Sequence, residues 1–124
     1  MNPKHANTLY NYAVMLDTHL KRKEEAESTY RTCLQSEPKH AFALYNLAVL
    51  LEERLFGSAS SYQSSQKGQQ QKKDEILGLY RKAVEADPRD ASTMADYGRF
   101  LLVRYDPILL HQVSTSSRSP MNHL

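Results

Sequence analysis

The chain has 124 residues, 40% hydrophobic and 24% charged, with a mean hydropathy of -0.64. That length holds one small domain and excludes a multidomain enzyme, and no apolar run approaches the ~18 residues of a membrane-spanning helix. The 16 Lys and Arg against 14 Asp and Glu leave a net charge of +2, too balanced to imply phosphate-backbone binding, so neither a nucleic acid nor a membrane is an expected partner. The single cysteine, Cys33, has no partner for an internal disulfide, which suits a reducing compartment. The first residues lack the apolar core of a signal peptide, so a soluble intracellular protein, cytoplasmic or nuclear, is expected.

In chain order the first feature is a motif that returns. Pro3-Lys4-His5-Ala6 recurs as Pro38-Lys39-His40-Ala41 and, in weaker form, as Pro88-Arg89-Asp90-Ala91. The likeness continues in Leu9-Tyr10-Asn11-Tyr12-Ala13-Val14 against Leu44-Tyr45-Asn46-Leu47-Ala48-Val49. Each copy spaces its apolar residues three and four apart: Leu9, Tyr12, Ala13 and Leu16, then Leu44, Leu47, Ala48 and Leu51, then Met94, Tyr97, Gly98 and Leu101. Such spacing predicts three amphipathic helices with these residues on the buried face. A second helix is predicted after each of the first two, over 24–35 with Ala26, Tyr30, Cys33 and Leu34, and over 74–86 with Ile76, Leu77, Tyr80, Ala83 and Val84. Pro38 and Pro88 are expected to end one helix and open the next.

The first two prolines lie 35 residues apart and the next two 50, and the excess falls within 57–73. This Ser/Gln-rich stretch is nearly devoid of apolar residues and is expected to be a disordered insertion. The pattern stops after Tyr105, leaving 106–124 as a flexible tail. The expected organisation is therefore a domain over 1–105, built of copies 3–37, 38–87 and a half copy 88–105. Without a second helix in the last copy, Met94, Tyr97, Phe100 and Leu101 are expected to lack partners.

These residues resemble the tetratricopeptide repeat family, whose unit of ~34 residues is a helix pair with small residues at the crossing and a closing proline. Ala13, Ala48 and Gly98 match the small position of the first helix and Ala26 that of the second. Tyr30 and Tyr80 match the aromatic position, Pro38 and Pro88 the closing proline. The chain departs from the family pattern in three places. Leu9, Leu44 and Met94 stand at the tryptophan position, the turn at Lys21 to Lys23 has one residue too many, and Ile76 replaces an alanine, which implies a wider crossing there. The resemblance implies an all-α helix-turn-helix solenoid of about two and a half repeats, with a long loop inside the second.

In that family the first helices line a concave face that binds peptides, so the resemblance points to a protein or peptide partner. The stripe beside the buried one holds Asn7, Tyr10, Asn11, Val14 and Asp17, then Phe42, Tyr45, Asn46, Val49 and Glu53, then Ser92, Ala95, Asp96 and Arg99. The expected peptide-binding set is Asn7, Tyr10, Asn11, Val14, Phe42, Tyr45, Asn46, Val49, Asp96 and Arg99. Tyrosine offers large apolar area with a polar tip, and an amide grips peptide N–H and C=O together. The competing reading is that Tyr10 and Tyr45 pack on adjacent helices and that the Asn11, Asn46 and Asp96 rungs hold local hydrogen bonds. A clamp for chaperone carboxylates is not expected, because its cationic and amide positions hold Tyr10, Val14, Ser92 and Asp96.

Catalysis finds no support, since five His and one Cys show no metal-ligand spacing and the four Gly form no phosphate loop. No enzyme activity, metal or cofactor is expected. Cys33 is expected to be buried and inert. The alternative to a peptide-binding module is a structural piece of a longer array that self-associates through the exposed helix of the third copy.

Overall fold

A computed structural model describes residues 3–57 and 66–108, and among these it is all-helical, without a strand. Helix α1 spans Pro3–Val14 and runs on through a π-helical turn, Met15–His19; α2 spans Lys23–Ser36 and α3 Ala41–Phe56. Helix α4 spans Gln66–Ala86, and α5 spans Ala91–Arg99 before a second π-helical segment, Phe100–Tyr105. The helices pack in sequence, α1 on α2, α2 on α3, α3 on α4 and α4 on α5, and α1 also touches α3.

The two prolines sit in matching turns rather than at the first residue of a helix. In each, the amide of the fourth residue donates to the carbonyl of the first, His40 to Glu37 at 3.1 Å and Asp90 to Asp87 at 3.3 Å. Proline with its fixed φ suits the second position of such a turn. The helices begin one residue later, capped by His40, whose Nδ1 accepts from the Ala43 amide at 3.1 Å, and by Asp90, whose Oδ1 accepts from the Ser92 and Thr93 amides.

At the end of α1 the Leu20 amide donates to Met15 at 3.1 Å, and Arg22 reaches back to Leu16 at 2.8 Å. Between them Lys21 turns the chain at a left-handed φ of 57°. A π turn holds one residue more than an α turn, so the surplus residue expected in this link is taken up inside the helix.

The core is Ala6, Ala13, Leu16, Ala26, Tyr30 and Cys33 on one side of α3, and Ile76, Leu79, Tyr80, Ala83 and Phe100 on the other. Both small crossing residues of the first pair, Ala13 and Ala26, are fully buried, and so is Ile76. Cys33 is buried, its S–H donating to the Ala6 carbonyl at 3.2 Å, and burial pushes the thiol's pKa up.

Four expectations need correction. Tyr12 and Met94 are 48% and 50% exposed, whereas Leu47 and Leu44, at the matching distances from Pro38, are buried. Helices α2, α3 and α4 each pack between two others, whereas α1 and α5 end the row, so among the described residues one edge of α1 and one of α5 stay open. Among the described residues Gly98 has nothing within 4 Å of where a Cβ would stand, so none of their helices is received at the small position of the third copy. Phe100 does have partners: like Leu50 at the matching distance from Pro38 it is buried, with Tyr80 and Phe56 rings at 5.6 and 6.4 Å.

The fourth correction concerns the expected disordered insertion, because residues 66–73 are the first two turns of α4. Gln and Lys are good helix formers, and extending a helix already nucleated by packing is cheap even without an apolar face. Residues 58–65 of that insertion and 109–124 of the expected tail lie outside the described residues.

Candidate functional site

The expected face is carried by α1, α3 and α5, and its side chains bond one another across the helices. The Tyr10 hydroxyl of α1 accepts from Asn46 Nδ2 of α3 at 3.1 Å. The Tyr45 hydroxyl of α3 donates to Asp96 Oδ2 of α5 at 2.5 Å. Tyr10 and Tyr45 stand seven residues after Pro3 and Pro38, and Asn46 and Asp96 eight after Pro38 and Pro88, so the same contact is made twice. The bond to Asp96, with partial burial and that carboxylate's charge, pushes the Tyr45 phenol up to about 12.

Tyr10 is half-buried, its ring 5.1 Å from His40, 5.9 Å from Phe42 and 6.3 Å from Tyr30. The Tyr30 phenol, buried below and near the Asp17 carboxylate, is held well above its ordinary pKa. Asn7 is exposed and tied to His40, Oδ1 to Nε2 at 2.9 Å. Since His40 Nδ1 accepts from the Ala43 amide, Nε2 carries the proton and donates to Asn7. Asn11 is exposed, and Val14 and Val49 are half-buried. Phe42 is 58% exposed, stacked on Tyr10 and edge-on to His40.

Arg99, the last expected site residue, lies 3.8 Å from Asp96 and links this face to a second cluster. Its guanidinium makes a two-pronged pair with Glu52, at 2.7 and 2.9 Å. Glu52 is only 7% exposed and also accepts from the Tyr80 hydroxyl at 2.7 Å, with Arg104 at 3.5 Å. Burial alone raises a carboxyl's pKa, but the hydrogen bonds from Arg99 and Tyr80 and the two arginine charges outweigh it and hold Glu52 below the carboxylate range. For the same reasons, burial first and then the carboxylate, Tyr80 lies far above the phenol range. Arg104 also lies 4.6 Å from the centre of the Phe56 ring. Sequence reasoning misses Glu52, which falls on neither the buried stripe nor the one beside it; its only signal is a charged residue directly after the buried Leu50 and Leu51.

The expected set is therefore divided. Tyr10, Tyr45, Asn46 and Asp96 hold helices together, Arg99 closes the Glu52 cluster, and Asn7, Asn11 and Phe42 face outward beside half-buried Val14 and Val49. Among the described residues no group of three or more His, Cys, Asp or Glu is placed to hold a metal ion, and no helix is long and apolar enough to cross a membrane. Compared with known protein families and with curated proteins, the chain matches none.

Proposed function

We propose that the chain is a protein–protein interaction module of tetratricopeptide type, whose first helices line a concave face that takes an extended segment of a partner protein. The observation that carries this reading is Phe42. A large aromatic is 58% exposed yet held by two other rings, Tyr10 at 5.9 Å and His40 at 6.4 Å. An aromatic fixed before binding loses little entropy on contact, and so makes an efficient anchor. Asn7 and Asn11 beside it supply amides for a peptide backbone. The reading includes no catalytic step and no chaperone clamp.

The test is selection from a displayed library of random peptides. Peptides selected on the parent should bind Phe42→Ala and Asn11→Ala about tenfold more weakly or worse, with helicity unchanged. Peptides that bind Phe42→Ala as tightly as the parent move the site elsewhere. Alanine at Tyr10 or Tyr45 is a poor probe, because it also removes a contact between helices.

A second reading, an assembly element that self-associates through α5, is favoured by Met94 and Val103, 50% and 51% exposed, and by the open space at Gly98. Mass in solution across a range of concentrations decides it. A monomer throughout removes this reading.

A further inference from the structure

Two hollows open along α4, and none of their lining residues belongs to the face described above. The larger, about 560 Å³, lies between α2 and α4 with Leu47 of α3 at its floor. The smaller, about 360 Å³, is bounded by the Pro38–Lys39 turn, Leu44 of α3 and the last turns of α4. Lys82 lines both, so the two hollows adjoin along α4 as halves of one groove, with Leu47 and Leu44 of α3 in their linings.

The charges along this groove are not equally satisfied. Arg31 at one end is held by Glu75 at 2.7 Å and Glu27 at 3.1 Å, and Arg81 lies 4.0 Å from Glu85. Lys39 and Lys82, which flank the smaller hollow, form no ion pair among the described residues. Pro38, Leu44, Glu85 and Ala86 complete the lining of this hollow, and a lysine can lay its aliphatic stem along an apolar wall while its ammonium stays in water.

The second observation is Gly78, in the middle of α4 and on the wall of the larger hollow. Glycine weakens a helix interior, and an added Cβ here would meet nothing within 4 Å, so no neighbour among the described residues requires it. Its absent side chain leaves the α4 backbone open to close approach from the groove.

We propose that this groove is a second docking site, for an acidic peptide segment of a partner protein. A leucine-sized side chain of the segment sits in the smaller hollow over Leu44 and Ala86. Adjacent carboxylates meet Lys39 and Lys82, and the segment runs on across Gly78. Charge complementarity selects the occupant: the lining carboxylates already have partners, Glu75 in Arg31, Glu85 in Arg81 and Asp74 in Gln70 and Tyr105, so a basic segment would meet only the two unanswered lysines and their repulsion.

The probe is a fluorescent synthetic peptide of about a dozen residues, leucines flanked by glutamates, with a lysine-for-glutamate counterpart and a serine-for-leucine counterpart. Fluorescence anisotropy should show saturable binding of the first alone. Lys39→Glu and Lys82→Glu, both at exposed positions, should each weaken it about tenfold with helicity intact. Gly78→Leu should abolish binding, and Phe42→Ala should leave it unchanged, which separates this site from the one proposed above. Equal binding of the lysine counterpart, no effect of reversing both lysines, or no binding of the acidic peptide at millimolar concentration overturns the proposal.

Discussion

Helix α3 is capped by a histidine rather than by the usual serine, threonine or aspartate. The His40 ring accepts from Ala43 with one nitrogen and donates to Asn7 of α1 with the other, and it packs 5.1 Å from Tyr10. Losing a cap costs ~1–2 kcal/mol, so His40→Ala should lower stability by about that much in urea unfolding, and His40→Asn, a good cap, by less than half of it. Equal losses would mean that the Asn7 and Tyr10 contacts matter more than the cap. Glu52 sets the response to acid. Its folded pKa is depressed, so the stability it contributes is complete above the unfolded carboxyl value of ~4.3 and is lost as the pH falls through the folded value. Glu52→Gln should cost roughly 3 kcal/mol at neutral pH, because it leaves a buried group facing two arginines, and should flatten the acid limb of the stability profile. An acid limb of unchanged slope would assign the loss to other carboxylates.

At the scale of elements, the apolar period marks α1, α2, α3 and the packed half of α4 because burial on one face leaves that trace. The crossing residues Ala13, Ala26 and Ala48 and the aromatics Tyr30 and Tyr80 are legible for the same reason: all are buried where helices meet. Gln66–Lys73 leaves no such trace, since those turns are held by continuity with the packed helix and by polar links such as Gln70 to Asp74 at 3.2 Å and Tyr105 to Asp74 at 2.7 Å. Periodicity is equally blind to a π turn, which leaves no mark in the spacing of apolar residues, and to the missing neighbour that leaves Met94 open. Gly98 offers a test on α5. With open space around it, Gly98→Ala should gain ~1 kcal/mol of helix propensity in thermal unfolding. A loss instead would mean that the space is filled by another molecule in solution.

For the whole molecule, the stripe beside the core is where sequence reasoning separates least well between gripping a ligand and gripping a neighbour. Tyrosine and asparagine serve both ends with the same groups, and only the distance between Tyr45 and Asp96, 51 residues apart in sequence, distinguishes them. Tyrosines also give the fold a common alkaline limit. Tyr30, Tyr45, Tyr80 and Tyr105 all have raised pKa values, so the stability they contribute is full below the unfolded phenol value of ~10 and is lost as the pH rises through the folded values, about 12 for Tyr45. Tyr30 and Tyr80 are buried and ionise only as the fold opens, so the last part of the tyrosinate absorbance, theirs, should rise together with the loss of helicity well above pH ~10. Full ionisation with helicity intact would contradict their burial.

The π turns begin 12 residues after Pro3 and 12 after Pro88, on α1 and α5, while α3 between them stays α-helical through the matching Leu50. Each wide turn is a store of slack. Removing one residue from an ordinary helix swings everything on one side of the cut by ~100°, but removing one between Met15 and His19 lets the wide turn close into a normal one with both halves still facing their partners. Single-residue deletions should therefore be tolerated in the two outer helices and ruinous in the central one.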